Sequence, residues 1–388
     1  MQREEQIRVI QILMDRIDRD ENVDAGGILH APVSTYTCPE TPAKEWQAFF
    51  KDHTQMVGFS GELVEPGSFF TIEDFGMPVL ATRDQSGEFR AFANVCRHRG
   101  GIVEKESRGK KFKFTCEFHA WTYSTEGELV GLPKQNHFGA IDKACHGLVE
   151  LPAEEKYGML WIHPQVGAEL DLDQLLGGLG EELDSYNLSE LVHSGDETYE
   201  HPMNWKLAID TFGETYHFGS LHKNTLFPVF HGNVQAYDTY GRNHRMSLCQ
   251  RGIDGMRDLP ESEWKLHQAV FPVYYLFPNV QINVGGDTVT LVKVFPDKGN
   301  PHHSRSQVSF HHRPEALARD PEMVKGIARV FGEIIRDEDY AAAARTHKGA
   351  CSGAIEHFVF GRNEPPLHHY HQTYREALGM EPLSLIEA

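Results

Sequence analysis

Ile7, Ile10, Met14 and Ile17 recur three and four residues apart in a charged background, which predicts an amphipathic helix at the start of the chain. Its apolar face must bury against this protein or against a neighbouring subunit. From about 55 to 164 the pattern changes to short runs rich in β-branched and aromatic residues, at 68–72, 78–82 and 89–95, separated by turn sequences such as Asp84-Gln85-Ser86-Gly87 and Thr125-Glu126-Gly127. This spacing predicts a compact all-β domain. After an acidic, glycine-containing stretch at 167–184, helical patterns mix with strand-like runs at 273–284 and 288–295, and a helical stretch covers 323–345. The expected fold class is α+β: an N-terminal helical segment over 1–44, a small all-β domain over 45–164, and a larger domain over 165–388 built on an antiparallel sheet with helices.

Composition narrows the function. The 388 residues carry 37 basic and 56 acidic side chains, a formal charge of −19, which argues against a nucleic-acid footprint and against anionic membranes. Six cysteines (Cys38, Cys96, Cys116, Cys145, Cys249 and Cys351) are too sparse for a disulfide framework, so a reducing, cytoplasmic setting is expected. The apolar stretch at 7–14 is interrupted by Arg8 and Gln11, which fits neither a signal peptide nor a membrane span.

Two constellations carry chemistry. In the first, Cys96-Arg97-His98 supplies a thiol and an imidazole, and Cys116-Glu117-Phe118-His119 supplies a second such pair. A Rieske 2Fe-2S centre takes two thiolates on one iron and two imidazoles on the other, so two mixed loops gripping the cluster meet its needs. A structural zinc site also accepts two Cys and two His, although zinc fingers more often pair like with like. The stretch Cys96-Arg97-His98-Arg99-Gly100 followed by Cys116, His119, Ala120 and Trp121 resembles the ligand signature of ring-hydroxylating, Rieske-type non-heme iron oxygenases. Respiratory Rieske proteins carry an extra Cys in each loop, and neither 97–101 nor 117–121 contains one.

The second constellation lies in Asn204 to His222 and includes Asp210, Glu214, His217 and His222. Two His and one carboxylate on one face of a metal leave positions open for O₂ and substrate. On one straight helix His217 and His222 would point about 140° apart, so a break at Gly219-Ser220 is expected to turn His222 back. Asp210 lies too far along a helix to share a metal with His217 and reads as structural. Glu214 is close enough in sequence to ligate. The segment is similar to the mononuclear-iron segment of the same family, and there the resemblance gives Glu214 another role, the catalytic bridge to a neighbouring subunit's Rieske histidine. It places the third iron ligand late in the chain. In Arg336-Asp337-Glu338-Asp339-Tyr340 the aspartate that aligns best is Asp339, with Asp337 and Glu338 as alternatives. Thr211 stands where the family usually has Asn, and His347 where Gln is common.

The resemblance implies an oxygenase α subunit holding a Rieske 2Fe-2S cluster at Cys96, His98, Cys116 and His119, and Fe(II) at His217, His222 and Asp339. It would use O₂ and electrons from a ferredoxin or flavin-dependent reductase to hydroxylate, dihydroxylate or demethylate a small organic substrate, as a homotrimer or other ring-like oligomer. Glu at position 214 resembles members that oxidise quaternary amines. No complete Gly-x-Gly-x-x-Gly follows a strand-like run, so the reductant is expected on a partner. Phe271, Tyr274, Tyr275 and Phe277 are either core or a cage for a cation. A Rieske electron carrier without catalysis would need only the first constellation, and a zinc-stabilised binding protein neither iron site.

Overall fold

The computed structural model describes residues 1–387 and divides into two compact units, 47–172 with 187–191, and 1–46 with 173–186 and 192–388.

The smaller unit is all β apart from short turns. Gln55–Phe59 pairs with Met159–Ile162, which pairs with Ala153–Lys156; a five-stranded antiparallel sheet runs in the order Glu150–Leu151, Phe89–Ala93, Val79–Arg83, Ser68–Ile72, Arg108–Lys110. A third sheet of Lys113–Thr115, Thr122–Ser124 and Leu129–Gly131 carries the second Cys/His loop on its first hairpin. The core beneath the loops joins Phe69, Leu80, Phe92 and Phe114 to Trp121, Tyr123, Cys96 and Cys116, so both thiols are anchored in packed side chains.

The larger unit is built on a seven-stranded antiparallel sheet. In chain order its strands are β1 (Val192–His201), β2 (Phe230–Tyr240), β3 (Asn243–Gln250), β4 (Val270–Leu276), β5 (Val280–Val284), β6 (Thr288–Asp297) and β7 (Asn300–His312), arranged β1-β7-β6-β5-β4-β3-β2. The run expected at 273–284 is two strands, because Phe277-Pro278-Asn279 turns the chain between them. The opening helix α1 (Arg3–Arg19) buries Val9, Ile10 and Leu13 with Ala236, Cys249, Ile253 and Trp264, which gives its apolar stripe a partner within the same unit. Four further helices matter for the site: α2 (Trp205–Asp210), α3 (Pro321–Ile334), α4 (Tyr340–Ala350) and α5 (Pro365–Ala377). Between α3 and α4 the segment Ile335–Asp339 forms a π-helical turn. Among the described residues no helix is long and apolar enough to cross a membrane.

Candidate metal centres

Asn204 caps α2 by accepting a hydrogen bond from the Lys206 N–H, and the helix ends at Asp210, earlier than the break expected at Gly219-Ser220. The chain turns at Thr211–Thr215 and enters a 3₁₀ turn at Tyr216–Gly219. A Cβ at Gly213 would lie 2.2 Å from Leu367 Cδ2 and 3.0 Å from Leu367 Cγ on α5, so the glycine lets the turn pack closely against that helix. Glu214 and His217 thus sit on a turn rather than on one helical face. The turn does what the expected break was needed for, since the rings of His217 and His222 come within 4.9 Å of each other.

Asp339 closes the group. Its Oδ1 is 3.0 Å from His222 Nε2 and 3.4 Å from His217 Nε2, and ligand atoms of all three residues lie within 4.8 Å of one another. Both Asp339 separations are inside the roughly 4 Å that two metal bonds of about 2 Å can span. The π-helical turn explains the placement, because the extra residue per turn rotates 338–339 out of the register of α3 and aims both side chains inward. His222 and Asp339 are 1% and 7% exposed, so whatever charge they carry is hardly solvated. Burial opposes ionisation of Asp339, yet the two imidazoles hold its carboxyl below the usual range. Burial likewise opposes a charge on His217, but Asp339 and Glu214 raise its pKa to about 10. The carboxylates favour positive charge at this point, and a metal ion supplies it.

The acidic residues separate by role. Glu214 is on the far side of His217, accepting from its Nδ1 and from the N–H groups of Tyr216 and His217, the last at 3.1 Å. Glu338 Oε2 is 2.6 Å from His222 Nδ1 and accepts from Thr225 Oγ1 at 2.8 Å. Asp337 faces outward and pairs with Arg336. Asp210 accepts from Tyr36 Oη at 2.6 Å and lies 3.0 Å from His371 Nε2, outside the group of three. Thr211 directs its hydroxyl back to the Ala208 carbonyl at 2.9 Å.

In the smaller unit the two Cys/His loops close alike. The Gly100 N–H donates to the Cys96 carbonyl at 2.9 Å, and the Ala120 N–H to the Cys116 carbonyl at 2.8 Å, with positive φ at both Gly100 and Ala120. The thiols of Cys96 and Cys116 are close enough to interact, and the rings of His98 and His119 are 4.5 Å apart. Tyr123 Oη lies 3.3 Å from Cys96 Sγ and accepts the Arg97 N–H. A Cβ on Gly101 would stand 3.1 Å from Cys116 Sγ, so the glycine keeps space beside the sulfur. His98 Nδ1 is buried without a hydrogen-bond partner. Four converging soft and imidazole donors, one of them an orphaned nitrogen, fit a 2Fe-2S cluster.

A sequence profile described as the Rieske [2Fe-2S] domain matches residues 53–150, and one described as the ring hydroxylating alpha subunit (catalytic domain) matches residues 188–380. The chain belongs to the Rieske-type non-heme iron oxygenase α subunits. This oxygenase subunit is 28% identical over 326 residues to the carnitine monooxygenase oxygenase subunit of Acinetobacter baumannii, covering 82% of this chain and 84% of that one. It is 26% identical over 362 residues to the chloroplastic choline monooxygenase of Spinacia oleracea, covering 89% and 78%. The quaternary ammonium Rieske monooxygenase CntA in complex with L-carnitine superposes with a TM-score of 0.77 at 22% identity, covering 91% and 96%; naphthalene 1,2-dioxygenase from Rhodococcus sp. gives 0.72 at 18%, covering 96% and 98%. These structures share the fold. The cofactors of the Rieske oxygenase subunit are accordingly a 2Fe-2S cluster and a mononuclear iron, and the catalytic-domain match excludes a bare electron carrier.

Two cavities meet at the group of three. One of about 500 Å³ is bordered by Asp210, Glu214, His217, Asp339 and Glu364. The other, of about 50 Å³, is walled by Phe212, Phe218, Phe230, Phe271, Phe331 and Asn283, and Phe271, Asn283 and Phe331 also wall an open cleft of about 560 Å³. Of the four aromatics weighed as core or cage, Phe271 lines this pocket, whereas Tyr274 and Tyr275 are buried in hydrogen bonds to Glu182 and the Pro278 carbonyl and Phe277 is core. The sequence does not mark Glu338 and Tyr123 as partners of the site residues. No local pattern pairs them with His222 and Cys96, because the partners lie 116 and 27 residues apart in the chain.

Proposed function

We propose that the oxygenase subunit holds its cluster with Cys96, His98, Cys116 and His119 and its Fe(II) with His217, His222 and Asp339, and oxidises a small organic molecule whose reacting end sits in the phenylalanine-walled pocket and whose remainder lies in the open cleft that shares Phe271, Asn283 and Phe331. The observation that carries this reading is the convergence of His217, His222 and Asp339 where that pocket meets the cavity bordered by Glu214. When bound, the two cofactors supply electrons singly and activate O₂ for attack on a C–H bond or a ring. The chain's own residues position and insulate. Glu214 and Glu338 fix the His217 and His222 rings through their Nδ1 atoms, so that each Nε2 faces Asp339. The phenylalanines exclude water and orient the substrate.

Glu214 serves as the bridge. It borders the larger cavity, where a cluster-ligand histidine of a neighbouring subunit can reach it, and His119 is exposed at the edge of its own unit. This supports a ring-like oligomer, a homotrimer, in which one subunit's cluster serves the next subunit's iron. Electrons come from a separate ferredoxin or flavin-dependent reductase. Cys145 is exposed and outside any disulfide, which fits the reducing cytoplasm. The assignment of 1–44, 45–164 and 165–388 to helical, Rieske and catalytic parts follows these roles.

No Lys or Arg is among the residues walling the small pocket, while Glu214 and Asp339 border it. The reacting end of the substrate is therefore neutral or cationic, an aromatic ring or a quaternary ammonium group, and not a carboxylate, whose charge no lysine or arginine there would pair. The likeness to carnitine and choline monooxygenases favours the quaternary ammonium group. Reduced subunit given ¹⁸O₂ and a panel of quaternary amines, neutral aromatics and aromatic acids should return ¹⁸O-labelled product from the first two classes. Labelled product from the acids alone would contradict the substrate reading, and none from any class would contradict the oxygenase reading.

A further inference from the structure

Most of the paired histidines are accounted for by hydrogen bonds or burial: His368 with the Phe360 and Gly361 carbonyls, His369 with Gly241, His312 with Ser194 and Thr288, and His311 fully buried. His302 differs. It lies near the start of β7 beside the C-terminal end of α4, where His347 in the last turn and Cys351 at the C-cap stand four residues apart on one face. His302 Nδ1 is 3.0 Å from His347 Nε2, and Cys351 Sγ is 3.7 Å from each of these nitrogens. This cluster is separate from the iron site, with His347 eight residues beyond Asp339 and so roughly 12 Å along the helix axis.

From the convergence of His302 Nδ1, His347 Nε2 and Cys351 Sγ we infer a second metal site that takes zinc or a similarly borderline-soft divalent ion. The spacing is that of a tetrahedral centre. With Zn–N of about 2.0–2.1 Å and Zn–S of about 2.3 Å, tetrahedral angles set N to N at about 3.4 Å and N to S at about 3.6 Å. Each of the three observed separations is within a few tenths of an ångström of these values. The donor set is also right for such an ion, two imidazoles and one thiol with no carboxylate to favour calcium or magnesium.

The surroundings prepare the ligands. His347 is 3% exposed and its Nδ1 has no hydrogen-bond partner, so its Nε2 is the nitrogen turned to the cluster. Burial, His302 and Lys206 lower its pKa to about 4, which leaves the imidazole neutral and its lone pair free at neutral pH. Lys206 is ion-paired with the buried Glu45, which offsets its repulsion of a cation. The thiolate formed on binding offsets another unit of charge. His302 and Cys351 are exposed, so the ion has an entry path and a fourth position for water. Bound there, it ties the start of β7 to the end of α4, the helix that begins immediately after Asp339.

The test uses iron-loaded holoenzyme titrated with one equivalent of Zn²⁺ and read at the zinc X-ray absorption edge, to which the iron centres do not contribute. The expected shell has one sulfur at about 2.3 Å and at least two nitrogens at about 2.0–2.1 Å. The exposed-residue variants Cys351→Ser and His302→Ala should keep the cluster spectrum and the mononuclear iron. Each should weaken zinc binding by at least about tenfold, and Cys351→Ser should also remove the sulfur shell. A zinc shell without sulfur in the unmodified protein, a sulfur shell that survives Cys351→Ser, or the absence of saturable binding at micromolar zinc would overturn the inference.

Discussion

Glu338→Gln perturbs the iron site without touching a proposed ligand. The carboxylate lies 2.6 Å from His222 Nδ1 and is held there by Thr225 at 2.8 Å, so it fixes the imidazole with Nε2 facing Asp339. Losing such an outer partner costs about 10- to 100-fold in metal affinity, or about 1.4–2.7 kcal/mol. A hydrogen bond to a charged group is worth about 1.5–3 kcal/mol net, which brackets the same range from another direction. Two features favour the lower half. Glu338 keeps 27% of its side chain in solvent, and the glutamine carbonyl can still accept from Nδ1 as a neutral group. Glu338→Gln should therefore weaken iron binding by about 10- to 30-fold, and Glu338→Ala by more. Anaerobic competition with a chromophoric Fe(II) chelator, with cluster absorbance followed in the same sample, measures this directly. An unchanged competition midpoint would refute the positioning role, while complete loss of iron that Asp339→Asn does not reproduce would make Glu338 the ligand.

Tyr123→Phe removes the hydroxyl beside Cys96 Sγ, which stabilises the more negative, reduced cluster; a differential of about 1–1.5 kcal/mol predicts a potential lower by roughly 40–65 mV in protein-film voltammetry, and a shift upward would reject it. Gly101→Ala places a Cβ against Cys116 Sγ, so purified variant should carry substoichiometric cluster, read as iron and acid-labile sulfide per chain. Burial first, then Glu214 and Asp210, raise the Glu364 pKa to about 7. A carboxyl raised on folding binds more protons in the native state, so it costs stability as pH climbs from its ordinary range through 7. Glu364→Gln should therefore gain thermal stability over the unmodified protein at pH 8 and lose most of that advantage by pH 5, and a gain that does not depend on pH would contradict this.

The strand runs were legible because β-branched and aromatic residues cluster between turn sequences, and the opening helix because its period-3.6 stripe reports the buried face; strands such as Val79–Arg83 and Val280–Val284 are buried at every position, so no alternation marks them. The Cys/His loops and the His217/His222 pair were legible as short-range motifs. What the sequence hid depends on long-range packing. α2 ends at Asp210 in a turn where Gly213 packs against Leu367, more than 150 residues away, a contact that the local sequence does not reveal. The π-helical turn at Ile335–Asp339 looks like ordinary helix in sequence, so an acidic run of three could be ranked but not sorted. Once the turn is known, Asp337, Glu338 and Asp339 separate into a surface residue, a partner of His222 and the member of the group with His217 and His222.

The central claim is that Asp339 binds the iron and Glu214 couples it to the neighbouring cluster, and one experiment reads both. Mononuclear iron stoichiometry and single-turnover cluster reoxidation, with substrate and O₂, are measured on Glu214→Gln and Asp339→Asn. The account predicts that Glu214→Gln keeps its iron and an intact cluster yet reoxidises the cluster far more slowly, whereas Asp339→Asn loses the mononuclear iron. Depleted iron in Glu214→Gln together with full iron in Asp339→Asn would contradict the assignment of both residues.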